Sequence, residues 1–141
     1  MGKRMERWIT CLITGLDTHV NEETRAKVLE QCGRQCQSQS FIGKARGIYG
    51  KSKNINDFLD KLGRVYKHLH REGNKVYIIY PKCYCSHVNK IPHGKLSATY
   101  CNCSRGWAKA LFEGVLGRPV EIIMEETIVK GDKQCKFQVV L

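Results

Sequence analysis

Apolar residues recur at helical spacing through the first half of the chain and at strand spacing through much of the second. Trp8 to Leu16 is apolar with weak periodicity and predicts a first helix. Asn21 can cap a second, with Glu22 and Glu23 in the first turn, where the helix dipole favours acids. Val28, Leu29, Cys32 and Cys36 then share one helical face, and Gly33 weakens the helix near its end. Residues 38–53 are polar and basic and include Gly43, Gly47 and Gly50, so they read as irregular chain or a poor, mobile helix. Ile55, Phe58, Leu59, Leu62, Val65, Tyr66 and Leu69 keep a helical period, with Asn54 or Asn56 to cap the start and Gly73-Asn74 to form a left-handed exit. Lys67, His68, His70 and Arg71 would complement the dipole at that exit, with both histidines facing solvent.

Val76 to Tyr80 is a continuous apolar run of strand length that Pro81 ends. Residues 82–103 form a long connection with a hairpin-like centre at Ile91-Pro92-His93-Gly94, and such a length inside a small domain points to function or local structure of its own. Ser104 is placed to cap a helix that buries Trp107, Ala108, Leu111, Phe112, Val115 and Leu116, and Gly117 and Pro119 stop it. Val120, Ile122, Met124 and Ile128 lie on one face of an alternating stretch, with Ile123 out of pattern. After a turn at residues 130–133, Cys135, Phe137, Val139 and Leu141 share one face of a last strand. Helices first, then strands with one helix before a C-terminal hairpin, predict an α+β fold with an antiparallel sheet. The whole chain, 1–141, reads as one domain, mainly helical to residue 73, with the strand, cysteine-rich loop, helix and hairpin in 74–141.

Charge alters this picture by its placement. The chain carries 24 Lys and Arg against 13 Asp and Glu, and no acid stands between Glu72 and Glu113, or between Gln31 and Asn56. Such stretches are solvated surface, an attractant for a small anion or nucleic acid, or compensation for an internal anionic site. No apolar run reaches the ~20 residues of a membrane span. The N-terminus lacks a signal-peptide cleavage pattern, and Glu6 stands where myristoylation wants Ser or Thr. A cytoplasmic protein with no membrane partner is expected, and there its eight cysteines stay reduced.

Those cysteines are the candidate chemistry. Cys83-Tyr84-Cys85 and Cys101-Asn102-Cys103 are two Cys-x-Cys pairs. In extended chain, residues two apart share a face, so two such pairs on neighbouring strands would gather four sulfurs. Four sulfurs suit tetrahedral zinc or, alternatively, an iron–sulfur cluster. His87 and His93 lie between the pairs as possible further ligands. Cys32 and Cys36, one helical turn apart, are either core or an additional ligand or redox pair. Cys11 reads as core. Cys103, just before the expected Ser104 cap, sits where helix amides lower a thiol pKa, and Ser104 with Arg105 could hold an anion. Cys135 points with Phe137 and Val139, so it reads as core near a strand end.

The segment Glu126-Thr-Ile-Val-Lys-Gly-Asp-Lys-Gln-Cys-Lys-Phe-Gln-Val resembles the C-terminal signature of the 4-vinyl reductase domain superfamily, to which an aminothiazoline-carboxylate hydrolase-like family is related. The chain is also similar to uncharacterised bacterial and archaeal proteins with an early Cys-Gly-x-x-Cys and two later Cys-x-Cys pairs. The resemblance to the superfamily covers the last third and implies an α+β fold enclosing a small-molecule pocket, with Cys135 nearer that pocket. Three functions stay open. The first is a metal-binding module on Cys83, Cys85, Cys101 and Cys103 that takes a small anionic or apolar ligand, with a homodimer as the possible assembly. The second is a thiol-dependent hydrolase or redox enzyme using Cys103 or Cys135, with His87 or His93 as base. The third is nucleic-acid binding, with Tyr77, Tyr80, Tyr84 and Tyr100 interleaved among lysines.

Overall fold

Three of the helices begin on a polar side chain that accepts the first unsatisfied backbone N–H groups, as helix ends require. Asn21 Oδ1 accepts from Thr24 at 2.8 Å, Ser38 Oγ from Phe41 at 3.2 Å and Asn54 Oδ1 from Asp57 at 2.9 Å. They open α2 (Glu22–Cys36), α3 (Gln39–Gly50) and α4 (Ile55–Val65), after α1 (Lys3–His19). The computed structural model describes residues 2–82, 91 and 95–141. Strands β1 (Leu69–Glu72) and β2 (Lys75–Tyr80) follow. A 3-10 turn (Ala98–Cys101) then runs into α5 (Asn102–Leu116), and β3 (Glu121–Glu126) and β4 (Cys135–Val140) complete the fold. The sheet is antiparallel throughout, in the order β1-β2-β4-β3. The α+β class is therefore as expected.

One stretch takes one of two expected alternatives, and another departs from its expectation. Residues 39–50 form α3 despite Gly43, Gly47 and Gly50. Ile42 and Ala45 are buried and Phe41 and Ile48 half-buried on one stripe, while the glycines face open space. Packing of that stripe outweighs the weak propensity. Helix α4 stops at Val65 instead of continuing to Leu69 and beyond. Residues 69–72 instead pair with β2, Leu69 opposite Ile78 and Glu72 opposite Lys75. Gly73, at φ +61°, makes the turn between the strands, so its left-handed conformation serves a hairpin instead of a helix exit. The backbone of β2 has two sides to satisfy, and residues 69–72 fill the side that β4 leaves.

Register puts Val76, Ile78, Phe137, Val139 and Ile122 on the sheet face covered by helices, where all are buried. They meet Phe58, Leu59 and Leu62 of α4 and Ala108, Leu111 and Phe112 of α5 in the main core. On the other face Tyr77 lies under Lys136, whose Nζ is 4.3 Å from the ring centroid. Leu141, expected with the buried face of the last strand, lies exposed past the end of β4, where no strand among the described residues pairs with it. A second, smaller core joins Ile13, Leu29 and Leu96. Only Ile13 of α1 is buried, and Met5, Trp8 and Leu12 form an exposed stripe on its outer side.

Candidate functional site

The start of α5 is held against α2 by two glycines in reciprocal contact. A Cβ on Gly33 would stand 1.7 Å from the carbonyl oxygen of Cys103, and one on Gly106 would stand 1.9 Å from that of Glu30. Only hydrogen at both Cα atoms lets the backbones approach this closely. Gly33 thus does more than weaken a helix. Beside this contact, Lys109 Nζ donates to both oxygens of Glu30 at 3.0 Å, Arg34 pairs with Glu113 at 2.9 Å, and Gln37 Nε2 donates to the Trp107 carbonyl at 3.1 Å. Burial raises the Glu113 carboxyl, but the Arg34 guanidinium and the Val120 N–H outweigh it and hold the group below its ordinary range.

The helix start differs from the expected one. Ser104 is not the cap. Ser97 accepts from Thr99 N–H to begin the 3-10 turn, and Cys101 stands at the α5 N-cap position with no side-chain capping bond. The second Cys-x-Cys pair therefore lies on helical chain instead of an extended strand, so its two side chains leave on different sides of the axis. Cys101 is buried and Cys103 half-buried. Cys83, Cys85, His87 and His93 lie outside the described residues. Among the described residues, no three Cys, His, Asp or Glu side chains converge as a metal-binding group.

The other cysteines separate by burial. Cys32 and Cys36 are exposed on α2, so neither is core. Cys11 is also exposed, because α1 turns only Ile13 fully inward. Cys135 is buried, as expected, and its Sγ accepts from Ile128 N–H at 3.4 Å across the β3–β4 connection.

Arg105 is fixed at a cleft. Its Nε donates to the Ile122 carbonyl at 3.1 Å and Nη1 to Asn102 Oδ1 at 3.0 Å, while Glu30 lies 3.8 Å from Nε. The cleft has a volume of ≈ 710 Å³ and runs between α2, the 3-10 turn, α5 and β3. Asn102, Arg105 and Lys109 line one wall, three and four residues apart on one helix face. Ser104 is half-buried and is not among the lining residues. Glu30, Asn102 and Lys109 were not legible as site residues, since a helical surface stripe of polar residues is the ordinary solvent face. The signal that could have found the contact is Gly106 inside an apolar helical pattern, where a glycine implies a close neighbour.

Behind Trp107, the Tyr66 and Tyr80 hydroxyls share a 2.6 Å hydrogen bond. Burial raises both phenols, Tyr80 to about 12 and Tyr66 further. His68 packs its ring on both, 5.8 Å from Tyr66 and 4.7 Å from Tyr80, so it is half-buried instead of facing solvent. Burial and the neighbouring Lys67 lower its pKa. His70 is exposed, as expected.

Among the described residues no helix is long and apolar enough to cross a membrane. No curated protein matches the chain. A family model described as a family of unknown function (DUF6144) matches residues 2–141, and the chain belongs to that family.

Proposed function

We propose that the chain is a cytoplasmic metal-binding module in which Cys83, Cys85, Cys101 and Cys103 ligate one zinc ion, with an iron–sulfur cluster as the alternative occupant, and which binds a small ligand nearby. The observation that carries this reading is the placement of Cys101 and Cys103 early in a helical stretch that starts at Ala98. The positive end of a helix dipole stabilises thiolates. Cα–Cβ bonds tilt toward a helix N-terminus, so an ion lying on that side is approached by both residues although they flank the axis. Cys83 and Cys85, earlier in the sequence and outside the described residues, would complete the four donors. Four thiolates around a divalent ion leave two negative charges in excess, and the acid-free, lysine-bearing segment between Glu72 and Glu113 is suited to offset them. The resemblance of the last third to 4-vinyl reductase domains supports the small-ligand part. A homodimer is the assembly proposed with it, and light scattering in solution checks it.

Nucleic acid is a weaker proposal on this fold. Tyr77 is covered by Lys136 and Tyr80 bonds Tyr66, which removes two of the four tyrosines from base stacking. As the nucleophile of a thiol enzyme, Cys103 is the better candidate, since it is half-buried whereas Cys135 is buried away from a substrate.

Metal analysis of anaerobically purified protein tests the module, together with an ultraviolet–visible spectrum. A colourless sample with one zinc per chain, lost in Cys83→Ser and in Cys103→Ser but kept in Cys11→Ser, is the expected result. Sulfur-to-iron charge-transfer bands would identify the cluster instead. Metal far below one per chain, unchanged by Cys83→Ser, would overturn the proposal.

A further inference from the structure

The cleft beside Arg105 is a second feature of the α5 start, on a different side of the helix from Cys103. Its charges are unevenly placed. Glu30 is shared between Lys109, which grips both of its oxygens at 3.0 Å, and Arg105, which stands off at 3.8 Å. The three groups together retain one positive charge. Arg25 and Lys27 on the rim have partners of their own, Asp17 at 3.3 Å and Glu23 at 3.1 Å. Glu22 also lines the cleft and, with those pairs counted, brings it to neutrality, so the excess positive charge is local to the α5 wall, where the Ile122 and Asn102 bonds lock the Arg105 guanidinium in plane. Those bonds use two of its five N–H donors. A fixed, planar guanidinium whose neighbour Glu30 is gripped by Lys109 is preorganised for an oxyanion.

The enclosure exceeds what a bare ion needs. A volume of ≈ 710 Å³ lies within the span of small-molecule sites, and Met124, Ala26 and Ala98 give the cleft apolar wall. We propose that this cleft binds a small organic anion bearing one carboxylate or phosphate, its oxyanion on Arg105 and Lys109 and its carbon skeleton toward Met124. Glu30 is the internal competitor. Its carboxylate occupies the Lys109 side, and its backbone is fixed there by the Gly106 contact. The proposal rests on the small-ligand part of the preceding section and is independent of the metal.

The test is an amide NMR titration of the full chain with inorganic phosphate and with phenyl phosphate, at constant ionic strength against chloride. Saturable shifts centred on residues 22–30, 98–109 and 124 are expected, with phenyl phosphate the tighter of the two. Arg105→Gln should weaken binding at least tenfold, and Glu30→Gln should tighten it several-fold by removing the competing carboxylate. The same spectra report whether each variant is folded, and Lys109→Gln, at the helix surface, carries the test if Arg105→Gln unfolds. Non-saturable shifts spread over the basic surface, or a Glu30→Gln variant that binds no better, would overturn the cleft assignment. Saturable shifts centred elsewhere would overturn it while leaving a small-ligand function in place, and metal content measured on the same sample judges the metal proposal separately.

Discussion

Replacing Gly33 by alanine sets two opposed effects against each other. In a helix interior alanine is favoured over glycine by about 1 kcal/mol. At Gly33, however, the new Cβ meets the Cys103 carbonyl oxygen at 1.7 Å, its carbon at 2.7 Å and the Trp107 nitrogen at 2.9 Å. Close C···O contacts settle near ~3.3 Å, so α2 and α5 must part by about 1.6 Å along that line. All three obstacles are backbone atoms inside α5, so no side-chain rotation relieves them. Overpacking of this kind costs about 1–3 kcal/mol, occasionally more. With no soft neighbour the upper end applies, and after the propensity gain a net loss of about 2 kcal/mol remains. For a chain of this size that is roughly 7 °C in Tm. Gly43→Ala in α3 is the internal control, because its Cβ meets nothing within 4 Å, so there only the propensity gain of up to about 1 kcal/mol survives. Urea unfolding followed by circular dichroism reads both. Gly33→Ala should lower the midpoint at unchanged slope, and Gly43→Ala should raise it. Gly106→Ala acts on the same contact, so the double variant should lose less than the two singles together. A Gly33→Ala protein as stable as the parent would refute the reciprocal glycine contact and, with it, the account of how the start of α5 is positioned.

Further outcomes follow from particular side chains. Tyr80→Phe strips the buried Tyr66 hydroxyl of the partner it has among the described residues and should cost about 1–2 kcal/mol. The double Tyr66→Phe, Tyr80→Phe variant should cost less than the two singles combined, read by denaturant midpoints. Both phenols are raised by burial, so their contribution is complete below the unfolded phenol pKa of ~10 and is lost as pH rises through about 12. Unfolding curves across that alkaline range should show the loss in the parent and a shallower one in the double variant. Glu113 has the opposite sign. Its depressed pKa gives stability present above the ordinary glutamate value and lost as pH falls below it, so Glu113→Gln should flatten the acid side of the stability profile. Ser38→Ala removes the α3 cap and should cost about 1 kcal/mol, which thermal melting would show.

Much of the architecture was legible because it depends on local periodicity. The cap at Asn21, the cap at Asn54 (one of two candidates with Asn56), the stop at Gly117, and the alternation of Cys135, Phe137 and Val139 all act within a few residues of themselves. The expectation stayed open or failed where a distant partner decided. Glycines in residues 39–50 argued against a helix, but Ile42 and Ala45 found the core. Residues 66–69 continued a helical rhythm, but the open edge of β2 took Leu69 into a strand. Serine at 104 looked like a cap only because the 3-10 turn upstream, started by Ser97, carries no hydrophobic rhythm.

The candidate site divides along the same line. By itself the sequence determined which residues are candidates for chemistry, namely two Cys-x-Cys pairs, a basic segment without acids and Arg105, because residue type and spacing are properties of the chain. Tertiary structure alone decided that Cys101 and Cys103 stand on helical chain, that Cys32 and Cys36 face solvent, and that Glu30 comes to Lys109 and Arg105 from 75 and more residues away. The physical reason is the approach of two helices at Gly33 and Gly106. Each glycine looks locally like a weakness in its helix, and each acquires its purpose only from the backbone it faces.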